Sequence, residues 1–167
     1  MSKSKKKDYP SLIVVTVGAS AGGLEALTLL LKASKPTGHI AFVLAQHMAP
    51  QHRSLLVELL SKDVAYKVVS AKQGTIIEAD TVYVNPPNKD IMVVDGALSL
   101  KTPTSAIGAK PSIDKLFQSV AEEYGDRSIG VVLSGTGSDG TQGCRYIRDS
   151  GGIVIAQDPG TAKYDGM

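Results

Sequence analysis

The sequence predicts an α/β fold: a doubly wound, mostly parallel sheet with helices on both faces and one β-hairpin. Three observations carry this expectation. Strand-like runs alternate with segments whose apolar residues recur at helical spacing. The runs "LIVVTV", "IAFVLA" and "IGVVLS" are almost unbroken in their apolar character, as strands covered on both faces are. The segments joining them read as helices, and short helical crossovers force parallel pairing.

Taken in order, the chain opens with a strand over 12–17 and a helix whose Leu24, Leu27 and Leu31 share a face. A second strand over 40–45 leads through "QHMAPQH" into a helix carrying Leu55, Leu56, Leu59 and Leu60. "TVYV" (81–84) follows, and the proline turn "NPPN" (85–88) separates it from "IMVV" and "ALSL". Asp95-Gly96 joins those two runs, and this dipeptide suits a two-residue hairpin because both central positions need positive φ. After a link containing glycine and proline, "KPSIDKLFQSVAEEYG" reads as a helix. Ser112 caps it, Ile113, Leu116, Phe117 and Val120 line its inner face, and Gly125 ends it. A strand over 129–134, the loop "GTGSDG" (135–140), a helix to about Ser150 and a strand over 153–157 complete the series.

At 167 residues and 43% hydrophobic, the chain fits one core-forming domain over 11–167 behind a lysine-rich tail over 1–10. No apolar stretch approaches the ~20 residues that a membrane span needs, and the N-terminus lacks a signal-peptide core, so no membrane insertion and a cytoplasmic location are expected. The single cysteine, Cys144, is compatible with a reducing compartment and excludes an internal disulfide. Of the net charge of +2, Lys3, Lys5, Lys6 and Lys7 against Asp8 supply +3, leaving the body near −1. Nucleic-acid binding needs a basic face on the folded part, so it is not expected. The tail reads as solvated and disordered, or alternatively as a docking segment for an acidic partner.

In such a sheet, reacting groups gather at the carboxyl ends of the strands. Three loops reach that edge and offer Ser20, His47 and Asp139. Gly18-Ala19-Ser20-Ala21-Gly22 fits the G-x-S-x-G nucleophile elbow, where small neighbours let a serine stand exposed on a sharp strand-to-helix turn. The N–H after the serine, that of Ala21, lies at a helix start suited to an oxyanion. Each residue has a plainer role open to it: Ser20 as a helix cap, His47 as a structural or exposed histidine, Asp139 as the cap of the next helix. Convergence favours chemistry, since a hydroxyl, an imidazole and a carboxylate from three loops are what serine hydrolysis requires.

Other chemistries fit less well. A dinucleotide site wants G-x-G-x-x-G and an acid ending the second strand, but Ser20 replaces the middle glycine and Gln46-His47 stand at that end. An α/β-hydrolase orders its triad Ser, Asp or Glu, His. Here no aspartate lies between Ser20 and the last histidine, His52, and only Glu25 on the first helix does, while Glu58 comes too late. None of His39, His47 and His52 shares a metal-type spacing with a partner cysteine and no H-E-x-x-H occurs, so neither metal nor cofactor is expected.

The motifs "GASAGG", "QHM", "VYVNPPN", "KPSIDKLFQSVAEEYG", "LSGTGSDGTQG" and "GGIVIAQDP", in this order from about Leu12 to Met167, resemble the catalytic domain of the chemotaxis receptor methylesterases of CheB type. The resemblance implies a Rossmann-like cytoplasmic hydrolase that removes methyl groups from γ-glutamyl methyl esters of methyl-accepting chemotaxis receptors, and in many members deamidates receptor glutamines. It implies Ser20 as nucleophile, His47 as general base and Asp139 as the carboxylate orienting it. The family often carries methionine at Thr136, a position whose backbone N–H serves the oxyanion, and a backbone donor survives that change. A receiver domain usually precedes this domain, whereas here a lysine-rich tail does. The family domain normally continues past "AQDPGTAKYDGM", so a C-terminally truncated domain is expected, and "GASAGGLEAL" with "SGTGSDGT" is similar to hybrids fused to a receptor methyltransferase. The alternative is a non-catalytic signalling or binding module that presents the same glycine loops to an anion or a protein.

Overall fold

A computed structural model describes residues 11–47, 55–104 and 110–167. The lysine-rich tail, the loop carrying His52 and residues 105–109 of the link lie outside the described residues. The elements are β1 (Ile13–Ala19), α1 (Gly23–Ala33), β2 (Ile40–Gln46), α2 (Leu56–Ser61), β3 (Lys67–Ser70), β4 (Thr81–Val84), β5 (Asp90–Val94) and β6 (Ala97–Lys101). They continue with α3 (Ile113–Tyr124), β7 (Ser128–Val132), β8 (Gly135–Thr136), α4 (Thr141–Asp149), β9 (Ile153–Ala156) and β10 (Asp165–Gly166).

Six strands form one parallel sheet in the order β3-β4-β2-β1-β7-β9. Strand residues alternate between two apolar layers. Val15 and Val17 of β1 and Phe42 and Leu44 of β2 meet Leu27 and Leu31 of α1 and Leu56 and Leu60 of α2. On the opposite face, Val14, Ala41 and Val43 meet Leu116, Phe117 and Val120 of α3 and Ile147 of α4. Both faces of the central strands are therefore covered, which is why their sequences lack the polar alternation of a half-exposed sheet. Each fully buried aliphatic side chain contributes about 1.5–3 kcal/mol of burial.

The hairpin stands apart from this sheet. β5 and β6 pair antiparallel, with Asp95 at φ 55 and Gly96 at φ 74, so both turn residues take the left-handed conformation expected of Asp-Gly. Ile91, Val93 and Leu98 pack into the α3 layer. The Ser112 hydroxyl caps α3 by accepting from Lys115 N at 3.3 Å, and Gly125 ends it, both as expected.

Three details differ from the sequence reading. Leu24 does not join Leu27 and Leu31 in the core: it is 39% exposed and borders the open space beside Ser20. In α2, Leu56 and Leu60 are buried while Leu55 and Leu59 face outward, since a short helix has one covered side. β3 went unread: it is an edge strand with Lys67 and Ser70 exposed and Val68 alone fully inward, too little apolar pattern to stand out.

The chain runs from β1 toward β2 on one side, and β7 and β9 lie on the other. The strand order thus reverses between β1 and β7, and in doubly wound sheets ligands bind beyond the carboxyl ends of the strands at such a point. Gly18, near the end of β1, permits the layers to meet closely there, since a Cβ on it would stand 2.5 Å from Ile113 Cγ2.

Candidate active site

Ser20 follows the last residue of β1. The turn into α1 closes with Gly23 N donating to Ser20 O at 3.0 Å, and Gly22 enters the helix at φ 73. That conformation suits glycine, and a Cβ on Gly22 would also lie 2.8 Å from Ser134 Oγ. Gly22 is the N-cap, and no side chain caps the helix, so the Ser20 hydroxyl is not used as a cap. The backbone of the turn is fastened to β7: Leu133 N donates to Gly18 O and Ser20 N to Ser134 O, each at 3.0 Å. Buried Ser134 then braces the far side, its hydroxyl donating to Ala21 O at 2.8 Å and accepting from Tyr164 N at 3.0 Å.

His47 stands one residue beyond β2, and its N–H donates to Ala19 O at 2.8 Å, the carbonyl just before Ser20. Gln46 ties the two loops together, with Nε2 donating to Ser20 O at 2.8 Å and to His47 O at 3.2 Å. Asn85, after β4, accepts from Gln46 N at 3.0 Å and fixes that strand end in turn. The imidazole Nε2 meets Asp139 Oδ2 at 2.8 Å, with both side chains largely buried. Of the three residues expected to act together, the structure joins His47 and Asp139 by a direct bond. Ser20 is brought to the same edge through the backbone, and no hydrogen bond links its hydroxyl to His47 among the described residues.

Asp139 does cap a helix, but it is α3 rather than the α4 that follows it. Oδ2 accepts from Ile113 N at 2.8 Å as well as from His47, and Oδ1 accepts from Asp114 N at 3.0 Å. With Asp90 accepting from Ser112 N and the Ser112 hydroxyl from Lys115 N, the first N–H groups of α3 all find side-chain acceptors. α4 is capped in exchange by Asp114. Gln46, Asn85 and Ser134 carried no sequence signal, since their roles depend on contacts with distant loops. Asp114 carried a weak one, as an acid in the first turn of a helix.

Burial pushes the Asp139 carboxyl up, but the bonds from His47, Ile113 N and Asp114 N and the nearby imidazole charge outweigh it and hold the group below its ordinary value. A carboxyl lowered on folding adds stability that is fully present above its unfolded pKa, near ~3.9, and lost as pH falls through the lower folded value. Asp139→Asn is therefore expected to flatten the fall of Tm with acid below about pH 4, as read from thermal melts at closely spaced pH.

Thr136 is exposed in β8, which pairs with β10. Gly135 N, not Thr136 N, makes the bond to Tyr164 O. Gly135 packs directly on the serine, since a Cβ there would stand 2.7 Å from Ser20 Cβ, so the peptide bearing the Thr136 N–H begins beside Ser20. Ala21 N–H donates to no group among the described residues. A cavity of about 660 Å³ extends from Ser20 along α1, past Leu24, Thr28 and Leu29, with Gln46 and Lys163 on its wall. Cys144 lies inside α4, half-buried, and burial together with the Asp114 charge pushes its thiol up despite Arg148. Cys144→Ser is expected to leave turnover within about twofold of the parent, because a protonated thiol away from the serine takes no part in acyl transfer. Among the described residues, no three His, Cys, Asp or Glu side chains gather as a metal site, and no helix is long and apolar enough to cross a membrane.

Fold and site define a doubly wound α/β domain whose strand-order reversal assembles a serine, a histidine and a carboxylate. The CheB methylesterase family model matches residues 15–167, and the chain belongs to that family. A Leptospira interrogans protein provisionally named protein-glutamate methylesterase/protein-glutamine glutaminase is 34% identical over 150 residues, covering 89% of this chain and 78% of that one. A Moorella thermoacetica protein of the same name is 35% identical over 163 residues, covering 95% of this chain but 38% of its own length. Among solved structures, the Thermotoga maritima CheB methylesterase catalytic domain superposes with a TM-score of 0.82 at 29% identity, over 94% of this chain and 85% of that one.

Proposed function

We propose that this chain is a serine esterase that hydrolyses γ-glutamyl methyl esters on chemotaxis receptors in the cytoplasm, releasing methanol, and that it deamidates receptor glutamines by the same route. The observation that carries the reading is the 2.8 Å bond between His47 Nε2 and Asp139 beside a serine whose hydroxyl is not used as a cap. Because Asp139 occupies Nε2, Nδ1 is the ring nitrogen left to accept the Ser20 proton. Ser20 Oγ attacks the ester carbonyl, and the tetrahedral oxyanion forms against Ala21 N–H and Thr136 N–H. Collapse breaks the bond to methoxide, which leaves as methanol with the proton from His47. Water, deprotonated by His47, then frees the glutamate and restores Ser20. Glutamine follows the same steps, with ammonia as the leaving group. Asp139 keeps the imidazole in one tautomer and stabilises its charged form. A receiver or methyltransferase domain, fused or separate, is the proposed regulatory partner.

The reading is tested by incubating the chain with methyl-labelled receptor and measuring volatile methanol, alongside labelling by a fluorophosphonate probe. Methanol release and a labelled Ser20 are expected. A folded chain that does neither would return the domain to the non-catalytic alternative.

A further inference from the structure

The loop that carries Asp139 is fastened by a second carboxylate. Asp114 Oδ1, on the first turn of α3, accepts from Gly140 N at 3.0 Å and from Gly143 N at 2.6 Å. In return Asp139 accepts from Ile113 N and Asp114 N. Two helix starts thus exchange acids, and four bonds span the gap between α3 and the entrance to α4. Gly140 is the N-cap of α4, sits at φ 104 and has no side chain to cap with, so the cap comes from the neighbouring helix. Its N–H belongs to the peptide that begins at Asp139. Holding that N–H prevents the rotation of the loop that would swing the Asp139 carboxylate away from His47 Nε2.

We propose that Asp114 is a positioning residue for ester hydrolysis, acting through Asp139 by pinning the Gly140 and Gly143 amides. The proposal rests on the reading of Asp139 as the carboxylate that orients His47. Both bonds fall on a single oxygen, so the role requires an acceptor at that point rather than a negative charge. Asparagine keeps the acceptor in place, alanine removes it, and glutamate keeps the charge but moves the acceptor by one methylene.

The test measures the fluorophosphonate labelling rate of Ser20 and the kcat and KM of methyl-ester hydrolysis, at a temperature where every variant is folded by near-UV circular dichroism. Asp114→Ala is expected to slow labelling and kcat about 10²-fold, the scale on which small misplacements of reacting groups act, with KM nearly unchanged. Asp114→Asn is expected to stay within about threefold of the parent, because its amide oxygen reproduces the acceptor. Leu98→Ala, a core change in the hairpin away from Asp139, serves as the destabilised comparison. If Asp114→Ala labels no more slowly than Leu98→Ala, or if Asp114→Asn is as slow as Asp114→Ala, the proposal is overturned. Should Asp114→Ala not fold, Asp114→Glu replaces it: a rate well below that of Asp114→Asn is expected, and equal rates overturn the proposal. Asp139→Asn separates the two levels. A severe loss there with an unaffected Asp114→Ala defeats this inference alone, whereas a mild loss there removes the reading beneath it as well.

Discussion

Ser20→Ala is expected to abolish methanol release and fluorophosphonate labelling while leaving Tm nearly unchanged. The turn already carries Ala19 and Ala21 on either side of Ser20, and no helix cap is lost because none is made by that hydroxyl. The bonds that hold the turn come from backbone groups, Ser20 N to Ser134 O and Gly23 N to Ser20 O, and alanine keeps both. The expected loss is of the whole covalent route, leaving only the slower catalysis that oxyanion donors and binding supply without a nucleophile. Near-parental turnover by a folded Ser20→Ala chain would refute the elbow.

Asp139→Asn is the second large effect, and its severity relative to Thr136→Ala is the claim. Every partner of the Asp139 carboxylate is a donor: His47 Nε2, Ile113 N and Asp114 N. An asparagine amide must turn its own N–H groups toward one of them, which either breaks the α3 cap or forces His47 into the wrong tautomer. In serine proteases the corresponding change lowers turnover by about 10⁴-fold. Thr136 is proposed to act through its backbone, so Thr136→Ala keeps the donor and is expected to cost less than about 10-fold, against ~10²- to 10³-fold for a lost side-chain oxyanion donor. Steady-state kinetics on the two variants decide it. Equal damage would make the threonine hydroxyl catalytic, and a mild Asp139→Asn would leave the carboxylate with helix capping alone.

How far the sequence foretold this depends on whether a feature is local. Strands β1, β2 and β7 stood out because burial on both faces removes almost every polar interruption, and the hairpin because Asp95-Gly96 supplies two residues that tolerate positive φ. Ser112 and Gly125 bounded α3 from its own residues. β3 escaped because an edge strand with one inward valine has almost no pattern. In the candidate site, the elbow motif and the strand ends pointed to Ser20, His47 and Asp139. The exchange between Asp114 and Asp139, the Gln46 bridge and the Ser134 brace stayed hidden, because each joins residues that only the folded chain makes neighbours. The helix that Asp139 caps was misjudged for the same reason: its nearest helix in sequence is α4, and its nearest free amides in space are those of α3.

The zipper between β1 and β7 also has a consequence in time. Ser20 and His47 leave the ribosome before the strand that holds the Ser20 amide and the carboxylate that holds His47, with 92 residues separating His47 from Asp139. Closing a loop of that length is slow, and it cannot begin until its far end has been synthesised. On the proposed mechanism, a growing chain therefore carries an unactivated serine. Esters then meet an activated serine only after β7 and the loop bearing Asp139 have docked against β1 and β2.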